Sequence, residues 1–129
     1  MSDKTTTILG VANAALTAYR FAAVNGVTRD LDPCGDGALA LGVAVAASAA
    51  TGDEALIAIE GYALVDFGGT VSAYAEVASD ADGKAVAPTT GDYILGYYAP
   101  EPVDGAVSSI ASGARGRVVL YSYKGNQAP

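Results

Sequence analysis

The tetrapeptide Leu16-Thr17-Ala18-Tyr19 returns later in the chain as Val71-Ser72-Ala73-Tyr74. Each copy is followed, in the same order, by a Gly-Asp pair, a Leu-Gly pair and a short apolar stretch. The pairs are Gly35-Asp36 and Gly91-Asp92, then Leu41-Gly42 and Leu95-Gly96. Two copies of one pattern of short strands and turns predict a duplicated β domain rather than a solenoid, which needs three or more repeats.

The segment from Glu54 to Asp66 carries the clearest strand pattern, because all its acidic side chains fall on one face of an alternating strand. Turn signals such as Asn25-Gly26 separate the shorter predicted strands. Those shorter strands are 16–24, 27–29, 38–47, 71–78, 84–87, 93–98 and 117–124. The predicted fold is therefore mainly β: a small duplicated domain, similar to a β-barrel or β-sandwich, with an extended N-terminal arm.

We divide the chain into an N-terminal arm at 1–13, a single β domain at 14–124 and a short tail at 125–129. Within the domain the two copies are expected at 14–66 and 69–124. One short helix is possible at 10–17 or at 106–112. The stretch from Pro100 to Gly113 is a longer loop, and it is where the second copy differs most from the first.

Composition excludes several kinds of partner. The 129 residues carry a formal net charge of −7, so nucleic acid and anionic membranes repel the chain and neither is expected to bind it. No stretch approaches the roughly 20 apolar residues that a membrane-spanning helix needs. Much of the apolar half of the chain is alanine, which buries little surface per residue, so we expect assembly with other copies to add burial.

Few residues in the chain could carry chemistry. The chain has no His and one Cys, Cys34, which excludes a Cys–His nucleophile and leaves too few ligands for a zinc site. Asp80-Ala81-Asp82-Gly83 resembles the start of a calcium loop but lacks the later bidentate Glu, so we interpret it as a hairpin turn. We therefore expect no catalytic residue, no cofactor, no metal and no enzyme activity. A site formed between subunits by converging carboxylates stays open as an alternative.

Aromatic and cationic side chains mark a candidate subunit interface. The last predicted strand places Arg117, Tyr121 and Tyr123 on one face. Tyr and Arg are enriched in protein interfaces because they combine large contact area with a polar group. The alternative, in which the tyrosines cover the sheet with their hydroxyls in water, stays open.

Three short runs carry a resemblance to a known family. They are Val71-Ser72-Ala73-Tyr74, Ser79-Asp80-Ala81-Asp82-Gly83-Lys84-Ala85-Val86-Ala87 and Gly91-Asp92-Tyr93-Ile94-Leu95-Gly96. Together with Leu41-Gly42-Val43-Ala44 and the turn before Ala55, they resemble the head decoration, or capsid cement, proteins of tailed bacteriophages. The resemblance covers roughly residues 14–124.

The resemblance implies a structural virion protein on the outer surface of an icosahedral phage capsid, made in the host cytoplasm. Its partners would be the major capsid protein, whose neighbouring subunits it clamps, and itself, as a homotrimer. The capsid-binding arm would be Ser2, Asp3, Lys4, Thr5, Thr6, Thr7, Ile8 and Leu9, a composition suited to strand addition. Deleting 2–9 is expected to abolish capsid binding and to leave the fold intact.

One further class of assembly protein fits the same sequence features. A tail-tube component or a bacterial surface-layer module would also need many turns, small apolar residues and no reactive groups. Ring hexamers in solution would favour a tube protein.

Overall fold

Residues 5–100, 109–121 and 127–128 are described in the computed structural model, and they form nine strands and no helix. The strands are β1 (Thr5–Val11), β2 (Phe21–Val24), β3 (Leu31–Pro33), β4 (Gly42–Ala44), β5 (Glu54–Asp66), β6 (Glu76–Ser79), β7 (Ala85–Val86), β8 (Gly96–Tyr98) and β9 (Arg115–Leu120). The predicted class, mainly β, is confirmed.

One curled antiparallel sheet holds these strands in the order β3-β2-β4-β5-β9-β8-β6-β7. The sheet stays open, with β3 and β7 at its two ends. β1 lies off this path and pairs with β5. Because Ile57 and Ala58 of β5 pair with both β1 and β4, these two strands lie on opposite edges of β5.

The long strand β5 changes direction in its middle. Gly61 has a φ of 81°, and the ladder with β1 contains an irregularity where Thr6 and Thr7 face Glu60 and Ala58. An extra residue in one strand bends it and alters which side chains face inward. Before the bend Ile57 packs into a small core with Ala12 and Leu31, and after it Val65 packs into a larger core with Phe21 and Phe67.

Hydrogen bonds recur at matching positions in the two halves of the chain. The Tyr19 amide donates to the carbonyl of Ala44, and the Tyr74 amide donates to that of Tyr98, both at 2.8 Å. The Ala12 amide likewise donates to the Asp53 carbonyl at 2.8 Å, as the Phe67 amide does to the Ala114 carbonyl at 2.9 Å. The pairing of β1 with the first half of β5 therefore corresponds to the pairing of the second half of β5 with β9.

We call residues 5–60 the first unit and 61–121 the second unit. In each unit the ladders follow one scheme, β3-β2-β4-β5-β1 in the first and β7-β6-β8-β9-β5 in the second. The recurring contacts thus begin upstream of the predicted first copy. The predicted domain limits at 1–13, 14–124 and 125–129 stay a prediction.

The repeated Leu-Gly pairs are explained by close backbone approach. A Cβ on Gly42 would overlap the carbonyl oxygen of Ala58, and a Cβ on Gly96 would overlap that of Val119. Glycine is the residue that permits such an approach between two strands.

Several predicted element limits are wrong. No helix occurs over 10–17, because β1 runs to Val11 and Leu16 then forms a bridge with Ser48. The strands predicted at 16–24 and 71–78 begin only at Phe21 and Glu76, after Tyr19 and Tyr74 with φ of 66° and 62°. A left-handed residue cannot continue an extended strand, so each echoed tetrapeptide ends in a turn. Residues 122–124 of the last predicted strand and most of the 100–113 loop lie outside the described residues.

Candidate interaction surface

The two units meet at a turn of the first unit, and we call this contact the unit junction. The Asp66 amide of the second unit donates to the Tyr19 carbonyl at 2.8 Å. The Arg115 guanidinium lies 3.7 Å from the centre of the Tyr19 ring, and its Nε donates to the Asp66 carboxylate at 2.8 Å. The Nε of Arg20 is 3.7 Å from the same carboxylate. A cation stacked on a ring and paired with a shared carboxylate fixes this junction.

A groove of about 390 Å³ runs between the units beside this junction. Its walls are mostly apolar: Val43, Ala58 and Thr7 come from the first unit, and Tyr62, Leu64 and Arg117 from the second. Arg117 lies 4.4 Å from the centre of the Tyr62 ring, and its Nε donates to the Ala99 carbonyl at 3.0 Å. The groove therefore carries an Arg–Tyr stack at each side, since Tyr19 also lines it.

Large apolar side chains are exposed in both units. Leu9 of β1 pairs with Leu56 of β5, and they are 63% and 39% exposed. Tyr74 in the second unit is 58% exposed. Exposed apolar groups that lie next to each other mark interaction surfaces more often than isolated ones do.

The predicted capsid-binding arm divides between described and undescribed residues. Thr5, Thr6, Thr7, Ile8 and Leu9 lie in β1, paired with β5 of the same chain. Their side chains are exposed. Ser2, Asp3 and Lys4 lie outside the described residues. The arm is thus an added strand of its own sheet, and its role in capsid binding stays a prediction.

The predicted subunit-interface residues are not brought together at one point. Arg117 borders the groove, whereas the Tyr121 hydroxyl donates to the Glu76 carboxylate at 3.1 Å and its ring lies 6.0 Å from that of Tyr97. Tyr123 lies outside the described residues. Arg117 and Tyr121 do lie on the same face of the strand, opposite to the face of the buried Val118 and Leu120. Their role in an interface stays a prediction.

Electrostatics around Tyr121 favour its neutral form. Partial burial raises the pKa of the Tyr121 phenol, and the hydrogen bond to Glu76 and the charge of that carboxylate raise it further. A phenol held neutral remains a hydrogen-bond donor over the physiological range.

Cys34 is the one cysteine of the chain, and it is buried. Burial raises the pKa of its thiol, an effect that a hydrogen bond with Ser79 partly offsets. The residues that the structure describes contain no group of three or more Cys, Asp or Glu side chains placed to hold a metal ion. Within that same portion, no helix is long and apolar enough to cross a membrane.

Sequence reasoning missed the unit junction. Tyr19 and Tyr74 were visible as the last residues of the echoed tetrapeptide, but nothing in the sequence indicates a left-handed backbone at a tyrosine. Asp66 and Arg115 are far apart in sequence, and only the β5–β9 register brings them together. The Leu9–Leu56 pair likewise depends on the register of β1 on β5.

The fold and surface define a small antiparallel β domain built from two similar units, with candidate contacts spread over its sheet. Among solved structures, it is similar to the N base of the head fiber protein gp8.5 of bacteriophage phi29, with a TM-score of 0.68 and 18% sequence identity. The match covers 94% of this chain and 98% of the phage structure. No protein-family description matches the chain. No curated protein matches it either.

Proposed function

We propose that this chain is a structural virion protein, without enzyme activity, that decorates the outer surface of an icosahedral phage head and stabilises it. It would bind the major capsid protein and clamp neighbouring subunits of the shell. The observation that carries the proposal is the fold shared with a phage head fiber base over nearly the full length of both chains.

The position of β1 supports a role in binding the shell. From Thr5 to Leu9, one edge of β1 pairs with β5, and no other described strand pairs with the opposite edge of this stretch. The stretch holds no charged residue and no proline, which are the devices that protect exposed edges from pairing. An extended segment of the capsid protein could add there by backbone hydrogen bonds.

The proposal includes assembly of the chain with itself, as a homotrimer. Tyr121 and Arg117 support it as exposed or half-exposed residues of types common in interfaces. Repeated weak contacts to a symmetric shell would then add up, because each bound subunit raises the effective concentration of the next.

A co-pelleting experiment tests the proposal. The purified chain is mixed with undecorated expanded heads assembled from the major capsid protein of the same genome, and the heads are pelleted. We expect the chain to pellet with the heads and to saturate. A chain that stays in the supernatant at every concentration would refute the proposal.

A matched pair of variants tests the edge of β1. Thr6→Lys places a charge on that edge, and we expect about tenfold weaker binding to heads because a lysine opposes strand addition. Thr90→Lys introduces the same charge at an exposed loop position and should bind as the unchanged chain does. Equal binding by both variants would exclude β1 as the contact.

A further inference from the structure

Two rows of side chains cross the sheet of the first unit and end at β1. Antiparallel pairing places Val43 of β4 opposite Ala58 of β5, and Ala58 opposite Thr7 of β1. Residues that lie directly opposite each other on neighbouring antiparallel strands share one face of the sheet. Val43, Ala58 and Thr7 therefore form one row across three strands, which we call the first row.

The second row lies two residues further along β1. Leu9 of β1 pairs with Leu56 of β5. The β4–β5 register, continued by one residue beyond Ala44, places Val45 opposite Leu56, and the Val45 amide donates to the Leu56 carbonyl at 3.0 Å. All three side chains are apolar and exposed, by 63% at Leu9, 39% at Leu56 and 40% at Val45. The second row is therefore an exposed apolar stripe that ends at β1.

The first row lies along the groove between the units. Val43 and Ala58 line the groove and are buried, whereas Thr7 lines it from β1 and is exposed. Ala58 and Thr7 are small, and the groove beside them has a volume of about 390 Å³. The groove therefore reaches β1, whose outer edge from Thr5 to Leu9 has no partner among the described strands.

We propose that the segment of the major capsid protein that adds to β1 carries a large apolar side chain opposite Thr7, and that this side chain lies across Thr7 and enters the groove. A second apolar residue of the segment, two positions away, lies opposite Leu9 and extends the second row. Both contacts rest on the proposed function, because they require the capsid segment to add at this edge.

Strand geometry supports these contacts. Alternate residues of a strand point to the same face, so the residues opposite Thr7 and Leu9 both face the two rows. Neighbouring strands lie about 4.8 Å apart, and long side chains reach beyond the residue directly opposite. In strand addition, backbone hydrogen bonds supply affinity and pockets for alternate side chains supply specificity. The groove has the position of such a pocket.

Charge complementarity selects the kind of segment. Thr5–Val11 carries no charged side chain, and the groove is lined by one cationic residue, Arg117, among the residues that the structure describes. A lysine or arginine of the partner at this place would meet a like charge, which opposes binding. A second copy of this chain is a poorer occupant, because two chains that each carry a net charge of −7 repel each other. The segment that adds is therefore apolar and free of basic residues where it faces the groove.

Binding of variant chains to undecorated expanded heads tests the groove. Thr7→Phe fills the groove from within the chain and leaves the edge of β1 uncharged. We expect it to bind heads about tenfold more weakly than the unchanged chain does, because the capsid side chain loses its contact area. Thr6→Phe is the matched control. Thr5 and Thr7 line the groove and Thr6 between them does not, so this variant should bind as the unchanged chain does.

A third variant changes the opposite wall of the groove. Leu64 lines the groove from the second unit and is 51% exposed, so Leu64→Gln should fold. We expect about fivefold weaker binding to heads, because the wall becomes polar. Chemical denaturation of all three variants checks that their stability is close to that of the unchanged chain. Phenylalanine is favoured in strands, so both threonine variants should pass this check.

Photocrosslinking identifies the segment of the partner. The chain with benzoylphenylalanine in place of Leu9 is bound to heads and irradiated, and the crosslinked capsid peptide is sequenced by mass spectrometry. We expect one segment of the major capsid protein, free of Lys and Arg, with a large apolar residue two positions from the crosslinked one. The same photoreactive residue in place of Thr90, an exposed loop position, should not crosslink to this segment.

Several results would overturn the proposed contacts. They are tight head binding by Thr7→Phe, equal losses in Thr6→Phe and Thr7→Phe, and a crosslink to a basic or wholly polar segment or to a second copy of this chain. In each of these results the unchanged chain still binds heads, so the proposed function stands. An unchanged chain that fails to bind heads would refute the proposed function and these contacts together.

Discussion

At the scale of single residues, the strongest constraints are two glycines in close contact with a neighbouring strand and two tyrosines with a positive φ. Gly42 and Gly96 lie so close to a backbone carbonyl of the neighbouring strand that a Cβ would overlap it. Tyr19 and Tyr74 hold a backbone conformation that costs about 1–2 kcal/mol for a residue with a Cβ. Both features occur in both units, so the same local geometry is required twice.

Replacing Gly96 with alanine should lower the free energy of unfolding by about 1–3 kcal/mol, because the new methyl group overlaps the Val119 carbonyl. Chemical denaturation with the folded fraction followed by circular dichroism measures this. Gly35→Ala is the control: nothing lies within 4 Å of its added Cβ, so its stability should be unchanged or slightly raised. Equal losses in both variants would contradict the steric explanation.

Tyr121 should ionise at higher pH than an ordinary tyrosine, because partial burial and the Glu76 carboxylate disfavour the phenolate. As the folded pKa lies above the unfolded one, raising the pH through about 10 ionises the unfolded chain first and reduces stability. Phenolate absorbance during alkaline titration measures this. Glu76→Gln should move one of the eight tyrosines to lower pH, whereas Glu54→Gln should move none.

At the scale of elements, β1 is a strand of the sheet more than a free arm. Its ladder with β5 covers Ile57, which is fully buried and belongs to the smaller core. We therefore expect deletion of 2–9 to destabilise the fold, in contrast to the expectation from the sequence that it leaves the fold intact. Side-chain changes on β1 test binding more cleanly than its removal.

Deleting residues 2–9 should lower the free energy of unfolding by a few kcal/mol, at about 1 kcal/mol for each net hydrogen bond lost. It should also increase aggregation, because an open edge of β5 offers its unpaired backbone groups to other chains. Denaturation and light scattering measure the two effects. Leu9→Asp, which keeps the backbone ladder, serves as the control, and equal stability of the deletion and the unchanged chain would contradict the role of β1.

At the scale of the whole molecule, charge and apolar contact act in opposite directions. Copies with a net charge of −7 repel one another, whereas exposed leucines such as Leu9 and Leu64 offer apolar contact area. Salt screens the repulsion between copies and leaves apolar burial in place.

Raising the salt concentration should therefore strengthen self-association of the unchanged chain, as measured by sedimentation. Light scattering at the same salt concentrations separates a defined oligomer from general precipitation. Association that weakens steadily with salt would indicate an interface held mainly by ion pairs instead.

The sequence alone determined the fold class, because alternating side chains, turn residues and a repeated tetrapeptide are features of residues that are close together in sequence. It also predicted a subunit interface at Arg117, Tyr121 and Tyr123, which stays a prediction. Only the tertiary structure decided how the units join. The register of β1 on β5, the pairing of Asp66 with Arg115 and the exposure of Tyr74 depend on residues distant in sequence. Long-range strand register is set by the packing of the whole sheet, and no short stretch of chain contains it.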